Sequence, residues 1–278
     1  MASPTEQADD TINWPGLDEF VDIVVNRSAA TSTLTVHNIP HDEIQRFIDL
    51  YEETLHRNIM FYDAQTKVGI FRIPSNDQVA AKSEFSTHLG MVIHNMRRDR
   101  LVCPSGSVLC QSADRTIIAT PDTSLIPTNR LDEHPFPSVM VQVGRMQSRR
   151  SLMQIMRKWF RCSGGQVKIV VIINIIRGPP GRDEMVFQKW RCPEDEPVCD
   201  TAFSIKLRDD APQPAPGTRR RFEESEFEVE VAPHSRPLPM VLEYELVCNE
   251  APGPEQGDIL MTEAMFRDMA VSTWLWFR

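Results

Sequence analysis

The sequence predicts an α/β fold in which a mixed central sheet is flanked by helices and extended by a β-rich C-terminal part. Three observations carry that expectation. The stretch Gln166 to Ile176 is a Val/Ile run too apolar for a sheet edge, which reads as a central strand covered on both faces. Ahead of it, Pro137 to Val143 sets Val139, Val141 and Val143 on one face of a strand, and Gln147 to Phe160 sets Leu152, Ile155, Met156 and Trp159 on one face of a helix. Strand, helix and buried strand make a βαβ crossover, with Val170 to Ile173 expected between the strands carrying Asp122 and Gln142. Beyond it, Glu184 to Arg191 and Thr201 to Leu207 extend the sheet. Two alternating segments follow, one with Phe227, Val229 and Val231 against Glu226, Glu228 and Glu230, the other with Leu242, Tyr244, Leu246 and Cys248 against Glu243 and Glu245.

Residues 1–38 are rich in acids, Ser and Thr and read as a partly ordered arm, with residues 39–278 as one domain whose core spans 59–207. Asp42 to Arg57 carries Ile44, Phe47, Ile48, Tyr51 and Leu55 at helical spacing. Ile59 to Tyr62 and Lys67 to Ile73 form a hairpin, after which Pro74 and Ser75 open a long helix, Asn76 to Arg97. Its stripe is Phe85, Leu89, Val92, Ile93 and Met96, with Glu84 and His88 along one flank. Ser107 to Gln111 and Thr116 to Thr120 are strand candidates around a polar turn. Gly164 and Gly165 stop the Gln147 to Phe160 helix. The Pro-rich connector Ala211 to Thr218 leads into a C-terminal β-hairpin and helix, 218–278, where Met265 and Met269 are core residues of the last helix.

The chain has 278 residues, 41% of them hydrophobic and 25% charged, enough to bury a core without staples. Thirty basic against 39 acidic residues give a net charge of −9, so any nucleic-acid contact has to be local. The acidic amino terminus lacks an apolar signal region, and no apolar run reaches a bilayer's span, which predicts an intracellular protein, cytoplasmic or nuclear, with no membrane partner and no secretion. The six cysteines form no CxxC pair, which predicts free thiols and no zinc site. The absence of P-loop, dinucleotide, GxSxG and HExxH patterns predicts no nucleotide cofactor.

One constellation points to chemistry. IATPDTSLIPT (Ile118 to Thr128) places Pro121 and Asp122 at a strand end, and PSVMVQVG places Gln142 inside another strand about twenty residues on. Two oxygen donors on neighbouring strands can hold a divalent ion against a scissile phosphate. A carboxylate capping a bend is the simpler reading of Pro-Asp alone. Nearby, Arg145 to Arg161 contains Arg145, Arg149, Arg150, Arg157, Lys158 and Arg161 without an acid. Arg150, Arg157 and Arg161 fall opposite the apolar stripe, either as a solvated face or as a phosphate-backbone contact.

The succession of a hairpin ending in IPS, a long helix, a strand ending in PD, the segment PSVMVQVG, a helix ending in Trp-Phe, Gly-Gly and the strand VKIVVIINI resembles the PD-(D/E)XK nuclease-like superfamily. It is most similar to divergent, uncharacterised members from filamentous fungi. The resemblance covers Ile59 to Leu207 and implies a restriction-endonuclease-like fold, Mg²⁺, and a catalytic set of the Asp of PD, an acid on the next strand and a Lys. Asp122 matches the Asp, but Gln142 stands where the Glu is expected and Gly144 where the compact motif has Lys. Arg149 or Lys158 would then supply a migrated cation, and Glu84 an acid from the first helix. Two readings stay open. In one, the chain is a degenerate nuclease-like domain, weakly active or inactive, that acts by binding, with nucleic acid as partner through the 145–161 helix. In the other, it is an active divergent Mg²⁺-dependent phosphodiesterase cleaving DNA or RNA.

Overall fold

Alternate residues of the Val/Ile run face two different apolar layers, and this places the run in the middle of the molecule. The computed structural model describes residues 10–26, 33–51, 58–97, 100–133, 136–145, 149–177, 183–208, 211, 222–254 and 256–274. Its N-terminal part consists of β1 (Asp10–Asn13), α1 (Leu17–Asn26), β2 (Thr33–His37), α2 (His41–Tyr51), β3 (Ile59–Asp63) and β4 (Val68–Arg72). The middle contains α3 (Asn76–Asn95), β5 (Val102–Pro104), β6 (Cys110–Gln111), β7 (Ile117–Ala119), β8 (Thr123–Pro127), β9 (Val139–Arg145) and α4 (Arg149–Cys162). Then come β10 (Ile169–Ile176), β11 (Glu184–Arg191), β12 (Val198–Leu207), β13 (Phe227–Val231), β14 (Met240–Leu242), α5 (Tyr244–Cys248), β15 (Ile259–Met261) and α6 (Glu263–Trp274). The fold is mixed α/β, with six α-helices among the described residues. None of these helices is long and apolar enough to cross a membrane.

A seven-stranded sheet has the order β13-β12-β11-β10-β9-β8-β5, and a six-stranded sheet the order β1-β2-β4-β3-β7-β6. In the larger sheet only β9 and β10 pair in parallel, joined through α4 as the crossover requires. Val171, Ile173 and Ile175 pack beneath α3 and α6 with Phe85, Leu89, Phe266 and Met269. Val170 and Ile172 pack on the other face with Leu152, Ile155, Met156 and Trp159 of α4. That layer also contains Met60, Phe61 and Ala119, so α4 lies between the two sheets. Gly164 and Gly165, both at positive φ (58° and 78°), end α4 as expected.

Several expectations are corrected. Of the segment read as a partly ordered arm, the described residues 10–26 and 33–38 are packed into the fold: β1 and β2 join the smaller sheet and α1 its outer core, in which Phe20 is fully buried and meets Trp14, Phe47 and Phe71 at ring-centroid distances of 5.0, 5.7 and 4.5 Å. The described part of α2 is His41–Tyr51, and residues 52–57 of the expected helix lie outside the described residues. Pro121 and Asp122 do not end a strand of the central sheet. Pro121 has no N–H to donate, and the chain passes there from β7 of the smaller sheet to β8 of the larger one, antiparallel to β9. Gln142 is therefore central, and β10 lies between β9 and β11 because β8 already occupies the other edge of β9. The Leu242 to Cys248 segment is the end of β14 followed by α5, since Tyr244, Val247 and Cys248 bury at the i, i+3, i+4 spacing of a helix. β13 and β14 belong to different sheets, so they form no hairpin. Most of the Ala211 to Thr218 connector lies outside the described residues.

Because Phe20 is packed among aromatic rings, Phe20→Ala should lower stability by about 3–5 kcal/mol. Urea denaturation measures this. An N-terminal segment that served only as an arm would show no change.

Candidate functional site

The site forms where β8 leaves β9. The Asp122 N–H donates to Val141 O at 3.0 Å, the last backbone bond on that side. Past this point the edge of β9 needs other partners. The Asp122 carboxylate turns back to accept the Val143 N–H at 2.8 Å, and the Gln78 carboxamide donates to Val143 O at 3.2 Å. Side chains thus finish the ladder that β8 abandons.

Asp122, only 4% exposed, carries three further contacts. Gln142 Nε2 donates to its Oδ2, the Arg72 guanidinium lies 3.1 Å from its Oδ1, and its own carbonyl accepts the Ser107 hydroxyl at 2.9 Å. Arg72, the last residue of β4, also donates to Thr120 O at 3.2 Å. Lys82 of α3 donates to Ser107 at 2.6 Å, which brings a second cation close. At the start of α3, Asp77 (1% exposed) accepts from Arg145 at 3.0 Å and Arg177 at 3.2 Å. Its place in the first helical turn adds the positive end of the helix dipole. Gln78 accepts the Ser75 N–H at 3.0 Å, closing the helix start.

The structure brings Asp122 and Gln142 together as the sequence suggests, but not the other candidates. Glu84 points to a different cluster, with His88 and Asp268. The Lys158 ammonium lies over the Phe61 ring, 4.3 Å from its centroid, and burial lowers its pKa, partly opposed by Asp63 and Cys162. Arg145 is spent on Asp77. The side chains of Arg149 and Arg150 lie outside the described residues. Arg157 and Arg161 are exposed on α4 and border a cleft of about 820 Å³ together with Lys168, Arg191, Glu194 and Asp195. The residues that sequence reasoning missed are Arg72, Asp77, Gln78, Lys82 and Arg177. Only Ser75 and Gln78, spaced as a capping box, left a local signal.

The donors around Asp122 do not fit Mg²⁺, the ion that the resemblance implies. A hard dication needs several anionic or neutral oxygens. Here the one carboxylate has both oxygens engaged, one by a guanidinium whose charge already balances it. Gln142 Oε1 is buried without a hydrogen-bond partner, but a single amide oxygen next to Arg72 would place the ion against a fixed positive charge. The neighbouring buried carboxylate, Asp77, is likewise engaged by guanidinium groups, those of Arg145 and Arg177.

Elsewhere, Lys189 (1% exposed) is held by Asp200 at 3.1 Å and Glu243 at 2.8 Å, with Arg191 2.7 Å from Asp200. This closed cluster locks β11 and β12 to the start of α5. None of the six cysteines is in a disulfide, and only Cys110 and Cys248 are fully buried. Burial pushes the Cys110 thiol up to about 12, so it is not a thiolate nucleophile at neutral pH. Compared with known proteins, the chain matches no family model and no curated protein.

Both members of the Arg72–Asp122 pair have side chains only 6% exposed, so removing either one strands a buried charge. Arg72→Met and Asp122→Asn should each cost about 3–5 kcal/mol, and the double variant should cost clearly less than their sum. A denaturation double-mutant cycle tests this, and strict additivity would mean that the two charges are not coupled.

Proposed function

We propose that the chain is a restriction-endonuclease-like PD-(D/E)XK domain that no longer hydrolyses phosphodiesters and instead binds nucleic acid in the cytoplasm or nucleus. The observation that carries the loss of catalysis is the capture of Asp122 by Arg72, Gln142 and the Val143 N–H. A carboxylate neutralised by an arginine does not recruit a metal, and arginine is too basic to replace the lysine as a general base. The nuclease-like reading is supported by the order hairpin β3–β4, helix α3, strand β9 carrying Gln142, helix α4 and buried strand β10, whereas the strand that leads into Pro121 and Asp122, β7, belongs to the smaller sheet. A cation is kept close, but it serves structure.

Binding is supported by the face of α4 opposite its buried stripe. Arg157 and Arg161 are exposed there, with Lys168 and Arg191 across the adjacent cleft. The contrast between this basic face and the exposed Glu228 and Glu230 on the edge strand β13 orients a polyanion toward α4.

The test pairs two readouts on DNA and RNA substrates. With Mg²⁺ or Mn²⁺ the wild-type chain should not cleave either one. At low salt it should retain both, with affinity falling steeply as salt rises, and Arg157→Gln/Arg161→Gln should reduce the log–log salt slope by about 2. Retention unchanged in that variant would remove the binding reading. Cleavage that disappears in Asp122→Ala would restore the alternative, an active divergent phosphodiesterase.

A further inference from the structure

Two turns into α3, Glu84 and His88 share a flank of the helix because residues four apart stack one above the other. Asp268 of α6 faces them, and one ligating atom from each of the three side chains lies within 4.8 Å of the other two. The His88 side chain is 9% exposed and its Nε2 is 3.1 Å from Asp268 Oδ2. Among the described residues, that contact does not have hydrogen-bond geometry, and neither imidazole nitrogen has a hydrogen-bond partner. Buried imidazoles are ordinarily satisfied at both nitrogens. Here the ring instead has a nitrogen facing carboxylates at the seam of two packed helices.

We propose that Glu84, His88 and Asp268 bind one divalent first-row transition ion of the zinc class, clamping α3 to α6. Zinc bonds of about 2.0–2.2 Å to nitrogen and oxygen place tetrahedral donors about 3.4 Å apart. The Nε2–Oδ2 separation of 3.1 Å is already near that value. The remaining distances, at most 4.8 Å, close by rotating Glu84 and Asp268, and the Asp268 side chain is 52% exposed and free to turn. An imidazole nitrogen among the donors favours such an ion over Mg²⁺ or Ca²⁺, which take oxygen. Two carboxylates balance a dication's charge, and solvent at the exposed side completes the coordination. The residues are separate from the Asp122 network, so the inference does not depend on the proposed function.

The metal-stripped full chain, titrated with Zn²⁺ and with Co²⁺, tests the site by calorimetry, cobalt absorption and thermal melting. The expected result is one ion per chain at micromolar Zn²⁺, a raised melting temperature, and a cobalt spectrum without a thiolate charge-transfer band. Glu84→Gln and His88→Gln should each weaken binding at least about tenfold. Glu84 is only half-buried, so Glu84→Gln decides the matter if His88→Gln does not fold. Absence of binding, binding unchanged in Glu84→Gln, or a thiolate band from cysteine ligation would each overturn the proposal.

Discussion

The pairing of Arg72 with Asp122 joins the two sheets at the point where the chain crosses between them. Arg72 ends β4 of the six-stranded sheet, and Asp122 stands at the entry to β8 of the seven-stranded sheet. Pro121 has already ended backbone pairing on one side, and the Asp122 carboxylate restores it on the other through the Val143 N–H. A buried ion pair gains little over apolar groups of similar volume, because desolvating both charges offsets most of their attraction. Its consequence is specificity of arrangement: the two charges tolerate burial only in each other's company, so the sheets have one way to meet.

Charge balance then accounts for the neighbouring contacts. Asp77 is buried at the start of α3 and has two arginines, Arg145 from the end of β9 and Arg177 from just beyond β10. Together with Gln78 on Val143 O, these contacts fix the first turn of α3 to the ends of the two parallel strands. In a metal-dependent site this corner would need surplus negative charge. Here each buried carboxylate of the corner, Asp122 and Asp77, has at least one guanidinium, and this pairing makes the corner a structural joint. The cationic surface lies elsewhere, on the solvent side of α4.

The parts legible in the sequence are those whose periodicity reports their surroundings. The Val/Ile run of β10, the stripe of α3 and the apolar face of α4 each bury as their spacing indicates. Asp122 and Gln142 do meet, but beside one another on the β8 side of β9 rather than on either side of β10, an arrangement that the order of the motifs does not indicate. The illegible parts depend on partners remote in sequence. Arg72 is 50 residues from Asp122, and Arg177 is 100 from Asp77, so no local pattern marks either pair. The N-terminal strands are four and five residues long, and β2 contains Thr and His, so they lack the apolar density of an obvious core strand. Tyr244 to Cys248 misled for the opposite reason: its apolar residues satisfy an alternating pattern and a helical one, and tertiary packing chose the helix.

The central claim is that an arginine holds the place a metal would need. A crystal structure of the chain grown with millimolar Mn²⁺, with diffraction recorded to reveal anomalous scattering from manganese, addresses it most directly. The account predicts no manganese peak at Asp122 and the Arg72 guanidinium within hydrogen-bond distance of its carboxylate. A manganese ion bound by Asp122 and Gln142 Oε1, with Arg72 displaced, would contradict it.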